Sequence, residues 1–226
     1  MSKRKLFWIN SVLVAVLIGG GAAALTVLTR PGQGSAQMSP GPFDPAMYES
    51  LSVIPFSMVD QNGNTVTHEA LQGKWTVMSF MFTHCVLACP ALQGNMYRLT
   101  ESQALRGLPV QFMSISVDPV NDTVERLNEY AADMGVDYDR WRLLRGESIL
   151  IQNFMSSLGF VPPREDGDES NRITLPDGST MGNILHPNTF LVFNAEGQLV
   201  ARYRGDDTEE VGQLAVDLRR AIGPRR

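Results

Sequence analysis

Hydrophobic and polar positions divide the chain into two kinds of segment. Short apolar runs bounded by turn residues are typical of buried strands, and apolar residues that recur every three or four positions are typical of amphipathic helices. The predicted strands are residues 53–59, 65–67, 75–82, 110–117, 141–144, 189–193 and 198–203. The predicted helices are residues 91–105, 123–134, 147–158 and 207–222. Their order predicts an α/β domain with a central mixed sheet and helices on both faces.

Local signals refine two parts of this pattern. Residues 122–125 read Asp-Thr-Val-Glu, which has the form of a capping box. This predicts Asp122 as the N-cap and Glu125 at the third position of the helix that follows. Residues 162–180 show no clear period and are partly acidic, so we expect an irregular segment there.

An uncharged, mostly apolar segment precedes the domain. As a helix, residues 7–28 would extend about 33 Å, enough to cross a bilayer core of about 30 Å. Lys3, Arg4 and Lys5 come before it, and positive side chains favour the cytoplasmic side. We therefore predict an N-terminal transmembrane helix, a cytoplasmic N-terminus and a globular domain on the extracytoplasmic, periplasmic side. A cleavable signal peptide is the alternative, because residues 19–24 are all Gly or Ala.

Composition completes the predicted domain organisation. Residues 31–50 are rich in Pro, Gly and Ser, which is typical of a flexible linker. The prediction is therefore a membrane anchor or signal segment in residues 1–30, a linker in residues 31–50 and one domain in residues 51–226. Two cysteines cannot hold such a domain together, so its stability must come from an apolar core, consistent with a hydrophobic content of 43%.

Charge is unevenly distributed along the chain. Four basic residues lie in the first thirty positions, and the remaining 15 Lys and Arg side chains stand against 24 Asp and Glu. A domain this acidic repels phosphate backbones, and no stretch combines clustered basic residues with aromatic ones. We therefore predict no nucleic-acid partner.

The only two cysteines, Cys85 and Cys89, lie where the strand 75–82 gives way to the helix 91–105. Ligands of open α/β sheets bind at this edge, and a helix N-terminus favours the thiolate form that binds metals and exchanges disulfides. A four-residue spacing in a helix separates the Cβ atoms by about 5–6 Å, which suits two sulfurs around one soft ion better than a disulfide. Pro90 disfavours helical geometry at Cys89, so a disulfide is also open to the pair, which could serve both roles.

Histidine is scarce, with only His68, His84 and His186 in the chain. His186 comes just before the predicted strand 189–193 and is a candidate ligand, although a lone histidine is more often structural. His84 adjoins Cys85, but neighbouring side chains in extended chain point in opposite directions, which disfavours joint ligation. We expect His68 to face solvent.

Three segments together resemble the Sco/SenC family. They are residues 82–90 (FTHCVLACP), residues 114–119 (SISVDP) followed by Asp122-Thr123, and His186 before a strand. Members of this family are membrane-anchored, thioredoxin-fold copper chaperones for cytochrome c oxidase. The resemblance covers about residues 54–222 and implies a thioredoxin-like three-layer fold around the mixed sheet. Two positions depart from the family pattern. Residues 86–88 are apolar, where the family usually has a Pro and an Asp, and Asn121 stands where the family often has a basic residue.

The resemblance implies that Cys85, Cys89 and His186 bind one copper ion, Cu+ or Cu2+. Two thiolates and an imidazole suit a soft ion, and copper leads the divalent affinity order, whereas zinc normally takes a fourth ligand. Three ligands leave an open face from which the ion can be handed on. Asp118 either supports the site from behind the ligands or is a turn residue before Pro119.

The function implied by the resemblance is a metallochaperone that helps assemble the copper site of cytochrome c oxidase, and thiol–disulfide reductase activity stays open beside it. Its expected partners are the copper-accepting subunit of the oxidase and, further, another copper chaperone or a thiol reductant. The alternative is a membrane-tethered thiol–disulfide oxidoreductase that keeps a partner's metal-site cysteines reduced, with Cys85 and Cys89 as its redox pair. Dedicated oxidoreductases use C-x-x-C, which disfavours this alternative. A peroxide-reactive protein is a third hypothesis.

Overall fold

The structure is a computed structural model, and it describes residues 43–85 and 89–223. Within these residues the larger strands are β1 Ser57–Asp60, β2 Thr65–Thr67, β3 Trp75–Met81, β4 Val110–Ser116, β5 Trp141–Arg145, β10 Thr189–Phe193 and β11 Leu199–Arg204. Four two-residue strands lie between β5 and β10: β6 Arg164–Glu165, β7 Ile173–Thr174, β8 Thr180–Met181 and β9 Ile184–Leu185. The α-helices are α1 Cys89–Thr100, α2 Val124–Asp133, α3 Ser148–Ser157 and α4 Thr208–Ile222.

The larger strands form one seven-stranded mixed sheet in the order β11-β10-β3-β4-β5-β1-β2. The three central strands β3, β4 and β5 are parallel, and the outer strands pair antiparallel. Every residue of β4 is buried, as is all of β3 after Trp75. Such burial on both faces explains why neither strand carries a charged residue or alternates regularly between apolar and polar positions. The predicted central mixed sheet is confirmed.

Helices cover both faces of this sheet. Successive side chains of a strand point to opposite faces, so Ser79 and Phe80 of β3 identify one face each. Ser79 accepts a hydrogen bond from Gln93 of α1, whereas the ring of Phe80 packs against Phe154 of α3 at 6.3 Å. Helices α1 and α3 therefore lie on opposite faces, as the order of elements predicts.

The start of α2 differs from the sequence prediction. Thr123, not Asp122, is the N-cap, and its hydroxyl oxygen accepts a hydrogen bond from the backbone N–H of Arg126 at 3.2 Å. Threonine caps a helix nearly as well as aspartate does. The Asp122 side chain is instead fully buried and bonded to groups outside the helix. The prediction of Asp122 as the cap is therefore wrong.

Residues 162–180 also contain more structure than their sequence suggests. β6 pairs with β9 and β7 pairs with β8, both antiparallel, so the segment forms two small ladders together with the residues up to Leu185. Strands of two residues are too short to produce a readable alternation of apolar and polar positions. The segment leads from α3 to His186, just ahead of β10.

The N-terminal part of the described chain packs against the sheet. Residues 45–48 form a 3-10 helix capped by Asp44, and the backbone N–H of Asp44 donates to the carbonyl of Val200 at 3.1 Å. The Phe43 ring lies 5.1 Å from that of Trp75. Among residues 43–85 and 89–223, no helix combines the length and apolar character needed to cross a bilayer. The predicted transmembrane helix in residues 1–30 and the linker up to residue 42 lie outside the described residues.

Candidate metal centre

The two cysteines lie at the carboxyl end of the central strand β3. Cys85 is half-buried and follows a turn after β3, while Cys89 is the first residue of α1 and is only 1% exposed. The backbone N–H of Cys89 donates a hydrogen bond to the Cys85 sulfur at 3.4 Å. Neither cysteine takes part in a disulfide. The start of α1 thus brings both sulfurs to the edge of the sheet where ligands of such folds bind.

His186 reaches the same edge from the loop between β9 and β10. Its Nε2 atom lies 3.0 Å from the Cys89 sulfur, and its Nδ1 atom lies 3.3 Å from the carbonyl oxygen of Pro187. The imidazole stands edge-on to the Phe82 ring, with centroids 5.8 Å apart and planes at 86°. One donor atom from each of Cys85, Cys89 and His186 lies within 4.8 Å of the others. One ion could therefore contact all three residues.

Burial changes the chemistry that the helix start alone suggests for Cys89. A hydrogen bond with the Cys85 side chain is the largest cause that raises the pKa of Cys89 far above its ordinary value, followed by burial and by electrostatic interaction with Cys85 and Asp122. A helix N-terminus lowers a thiol pKa and burial raises it, and at Cys89 the rise is the larger of the two effects. Without a metal, Cys89 is therefore a neutral thiol at physiological pH, and metal binding must displace its proton.

A buried carboxylate lies beneath the loop that carries Cys85. The Asp122 side chain accepts hydrogen bonds from the Thr83 hydroxyl at 2.6 Å, from the Thr83 backbone N–H at 3.2 Å and from the Ser116 hydroxyl at 2.5 Å. Burial raises the pKa of Asp122, while these hydrogen bonds oppose that rise. Sequence reasoning treated Asp122 as a helix cap and missed this contact with the loop. The available signals were its position after the Asp118-Pro119 turn and its place in the second segment of the family resemblance.

Asp118 lies next to this carboxylate and not among the three donor residues. It is 4% exposed and accepts hydrogen bonds from the Asn121 backbone N–H at 3.2 Å and from the Asn121 side chain at 2.8 Å. His84, Asp118 and Asp122 form a second group of donor atoms within 4.8 Å of one another. Both oxygens of Asp122 already accept hydrogen bonds, so this group supports the loop and does not form an open ligand set.

An apolar surface adjoins the histidine. Val161 is 70% exposed and Leu185 is 42% exposed. Together with His186 they line a shallow cavity of about 310 Å³. The other side chains in its wall are those of Phe160, Pro162, Arg164 and Pro187. The imidazole is therefore reached from solvent across a largely apolar surface.

The architecture and the donor set together define a class of protein. Two cysteines lie between the central strand of a mixed sheet and the helix that follows it, as in a thioredoxin-like domain. A histidine lies next to them, and the three side chains together form a candidate site for a soft metal ion. The SCO1/SenC family model matches residues 46–223. The chain belongs to the SCO1/SenC family, as the motifs around Cys85 and His186 imply.

Known proteins similar to this chain agree with that assignment. A Stutzerimonas stutzeri protein named "Putative copper-binding protein" is 33% identical over 146 residues, which are 60% of this chain and 70% of that protein. The crystal structure of a SCO1/SenC family lipoprotein from Bacillus anthracis is 27% identical, with a TM-score of 0.63 over 76% of this chain and 95% of that one. BsSco, a member of the Sco family of cytochrome c oxidase assembly proteins in which a disulfide switch was identified, is 25% identical, with a TM-score of 0.60 over 76% of this chain and 94% of that one.

Proposed function

We propose that this protein is a copper metallochaperone that binds one copper ion through Cys85, Cys89 and His186 and helps assemble the copper site of cytochrome c oxidase. The observation that carries the proposal is the convergence of two sulfur atoms and one ring nitrogen within 4.8 Å. The Stutzerimonas relative, whose name describes copper binding, and BsSco, from a family of oxidase assembly proteins, support the same function.

Copper fits the donor set better than the other common metals do. Thiolate sulfur is a soft ligand that selects Cu+, and imidazole also binds copper well. Structural zinc sites take four protein ligands, and the described residues offer three at this position. A three-ligand site leaves one side of the ion open to an incoming donor. An acceptor protein can therefore take the ion by replacing one ligand at a time.

Transfer requires that a partner reach the ion. Cys85 and His186 are only half-buried, and the exposed side chains of Val161 and Leu185 lie beside the imidazole. We expect the copper-accepting subunit of the oxidase to approach across this surface. Another copper chaperone that loads the site, or a thiol reductant that keeps Cys85 and Cys89 reduced, would use the same approach. In this proposal Asp118 supports the site from behind the ligands, through Asn121 and the adjacent Asp122.

The proposed location follows from the N-terminal sequence. Residues 7–28 form an uncharged apolar segment preceded by Lys3, Arg4 and Lys5, which favours an anchor with a cytoplasmic N-terminus. The domain would then work on the periplasmic side of the membrane. The Bacillus anthracis relative is a lipoprotein, which is consistent with attachment to a membrane in this family.

A thiol–disulfide oxidoreductase is the second candidate function, and one observation favours it. The two thiols are close enough for the Cys89 N–H to bond to the Cys85 sulfur, and a disulfide switch was identified in BsSco. The raised pKa of Cys89 counts against fast exchange, because a thiol of high pKa is a poor leaving group. In this function His186 makes no essential contribution, so His186→Ala would leave reductase activity intact.

Metal analysis tests the proposal. The purified chain, loaded with Cu+ under reducing conditions and desalted, should retain about one copper per chain, as a single three-ligand site requires. The Cys85→Ala and Cys89→Ala chains should lose it, because one thiolate and one imidazole bind Cu+ much more weakly. Substitution of Ser102, a hydroxyl residue after α1, by Ala serves as the control and should leave the copper content unchanged. Unchanged copper in the Cys85→Ala chain would contradict the proposal.

A further inference from the structure

We propose that Asp122 is a positioning residue for the metal centre: its buried carboxylate holds the loop after β3 in the conformation that presents Cys85 and Cys89 as a pair. The inference rests on the proposed function and extends it to a residue outside the three that supply the donor atoms. Asp122 lies in the loop between β4 and α2, whereas Cys85 lies in the loop between β3 and α1.

The contacts of Asp122 converge on a single residue of the cysteine loop. Thr83 donates both its backbone N–H and its hydroxyl to the Asp122 carboxylate, at 3.2 Å and 2.6 Å. Arg126 donates its Nε–H to the same hydroxyl oxygen at 3.1 Å. The same oxygen lies 3.3 Å from Nδ1 of His84. An arginine N–H can only donate, and the contact with Asp122 is the much shorter of the other two at 2.6 Å, so the single hydroxyl proton of Thr83 points to Asp122. Two donors from one residue restrict both its position and its orientation.

Asp122 can act as an anchor because its own backbone is held on both sides. Its N–H donates to the carbonyl of Asp118 at 2.9 Å, and its carbonyl accepts from the Arg145 guanidinium at 2.8 Å. Arg145 lies in β5, so the backbone of Asp122 is tied to the sheet and not only to its own loop. The side chain of Asp122 is 0% exposed. Hydrogen bonds in such a site are not weakened by competing water.

Thr83 lies between the two halves of the metal centre. Phe82, the residue before it, packs edge-on against the His186 imidazole, and Cys85 follows two residues later. Holding Thr83 therefore sets the position of the Phe82 ring and the direction in which the chain continues to Cys85. Groups that orient metal ligands from behind are typically worth about 10–100-fold in metal affinity. We expect a loss of that size when the anchor is removed.

The Asp122→Asn chain tests this, with Asp217→Asn as the matched control. Asp217 is also a buried carboxylate, 4% exposed, but it accepts its hydrogen bonds from Tyr203 of β11 and Gln213 of α4. Full-length chains are compared by competition for Cu+ with a chromophoric chelator, bicinchoninate. We expect Asp122→Asn to lower the Cu+ affinity about 10–100-fold, and Asp217→Asn to change it less than about threefold.

A second readout needs no copper. The Cys85–Cys89 dithiol is equilibrated with reduced and oxidised glutathione, and the disulfide fraction is measured after acid quenching. A disulfide needs the sulfurs about 2.05 Å apart, so its formation must move a loop that Asp122 holds in the dithiol arrangement. Asp122→Asn should therefore shift the equilibrium toward the disulfide about tenfold, or about 30 mV. Asp217→Asn should not shift it.

Substitutions at Thr83 complete the test. Thr83→Ser keeps the hydroxyl donor and should retain the wild-type Cu+ affinity, whereas Thr83→Val removes it and should reproduce the loss seen in Asp122→Asn. Asp122→Asn and Asp217→Asn could lower the unfolding midpoint by the same amount. If the Asp122→Asn chain then keeps the Cu+ affinity and the disulfide equilibrium of the wild type, Asp122 has only a structural role and the inference is overturned. If the wild-type chain itself binds no Cu+, the proposed function fails, and the disulfide equilibrium still decides the role of Asp122.

Discussion

The sulfur of Cys89 and the Nε2 atom of His186 lie 3.0 Å apart, although 97 positions separate the two residues in the sequence. The pairing of β10 with β3 explains their proximity. These strands run antiparallel with Leu191 opposite Met78 and Val192 opposite Val77. Because the strands are antiparallel, the chain that enters β10 after His186 and the chain that leaves β3 towards Cys85 lie at the same edge of the sheet. The sheet therefore sets the distance between the imidazole and the thiols.

Removal of the imidazole should weaken copper binding without unfolding the domain. We expect His186→Ala to lower Cu+ affinity at least tenfold, because the two remaining sulfurs lose a third ligand, while the midpoint of thermal unfolding stays within a few degrees. His68→Ala is the control. His68 is the first residue of a 3-10 helix, packs against Phe56 and belongs to neither of the two groups of possible metal ligands. Chelator competition measures both variants. Equal affinities in the two would argue against a ligand role for His186.

Copper binding should release protons. The pKa of Cys89 is raised well above neutrality, so the metal-free thiol stays protonated throughout the range from pH 6 to pH 8. The ligand must be deprotonated, so apparent Cu+ affinity should rise with pH by about tenfold per unit for the Cys89 proton alone. Chelator competition at three pH values, corrected for titration of the chelator, measures the slope. An affinity independent of pH would mean that Cys89 is already a thiolate or is not a ligand.

The two thiols should differ in reactivity before metal binds. The thiolate is the nucleophilic form, and Cys89 combines a raised pKa with only 1% exposure, whereas Cys85 is half-buried. Iodoacetamide at neutral pH should therefore modify Cys85 at least tenfold faster than Cys89, as fragment-ion mass spectrometry can resolve. Copper should protect both residues. Faster modification of Cys89 would contradict the burial described for it.

Close packing behind the site predicts a stability contrast between two glycines. A methyl group on Gly205 would overlap Leu92 of α1 and come within 2.8 Å of Phe190, whereas one on Gly212 in α4 meets nothing within 4 Å. Gly205→Ala should therefore lower the free energy of unfolding by about 1–3 kcal/mol. Gly212→Ala should raise it by up to about 1 kcal/mol, because alanine favours helix. Urea denaturation measures both. Similar effects for the two would contradict the packing around Gly205.

The sheet was predictable from sequence because its central strands are buried on both faces. Residues 75–82 and 110–117 are uncharged and mostly apolar, and the structure places β3 and β4 within them as parallel neighbours. The position of Cys85 and Cys89 at the strand end follows directly from that pattern. The short pairs β6–β9 and β7–β8 were not predictable, since two residues contain no measurable period.

Three features of the candidate site depend on tertiary contacts and were beyond local reasoning. A single histidine forms no sequence pattern, so the sequence linked His186 to the cysteines only through the family resemblance. The pairing of β10 with β3 in the structure explains why they lie together. Asp122 comes just before a helix, and an aspartate at that position can either cap the helix or accept hydrogen bonds in the protein interior. The sequence does not distinguish these two roles, and the structure shows the second. The pKa of Cys89 rises because of burial and the Cys85 thiol, which outweigh the helix start.

The central claim is that two sulfurs and one imidazole nitrogen bind one copper ion. X-ray absorption at the copper edge, recorded on the Cu+-loaded chain and on its His186→Ala variant, tests it most directly. The account predicts two sulfur scatterers and one nitrogen scatterer from an imidazole ring in the wild type, with the imidazole signal absent from the variant. A first shell without sulfur, or an imidazole signal that persists in the His186→Ala chain, would contradict it.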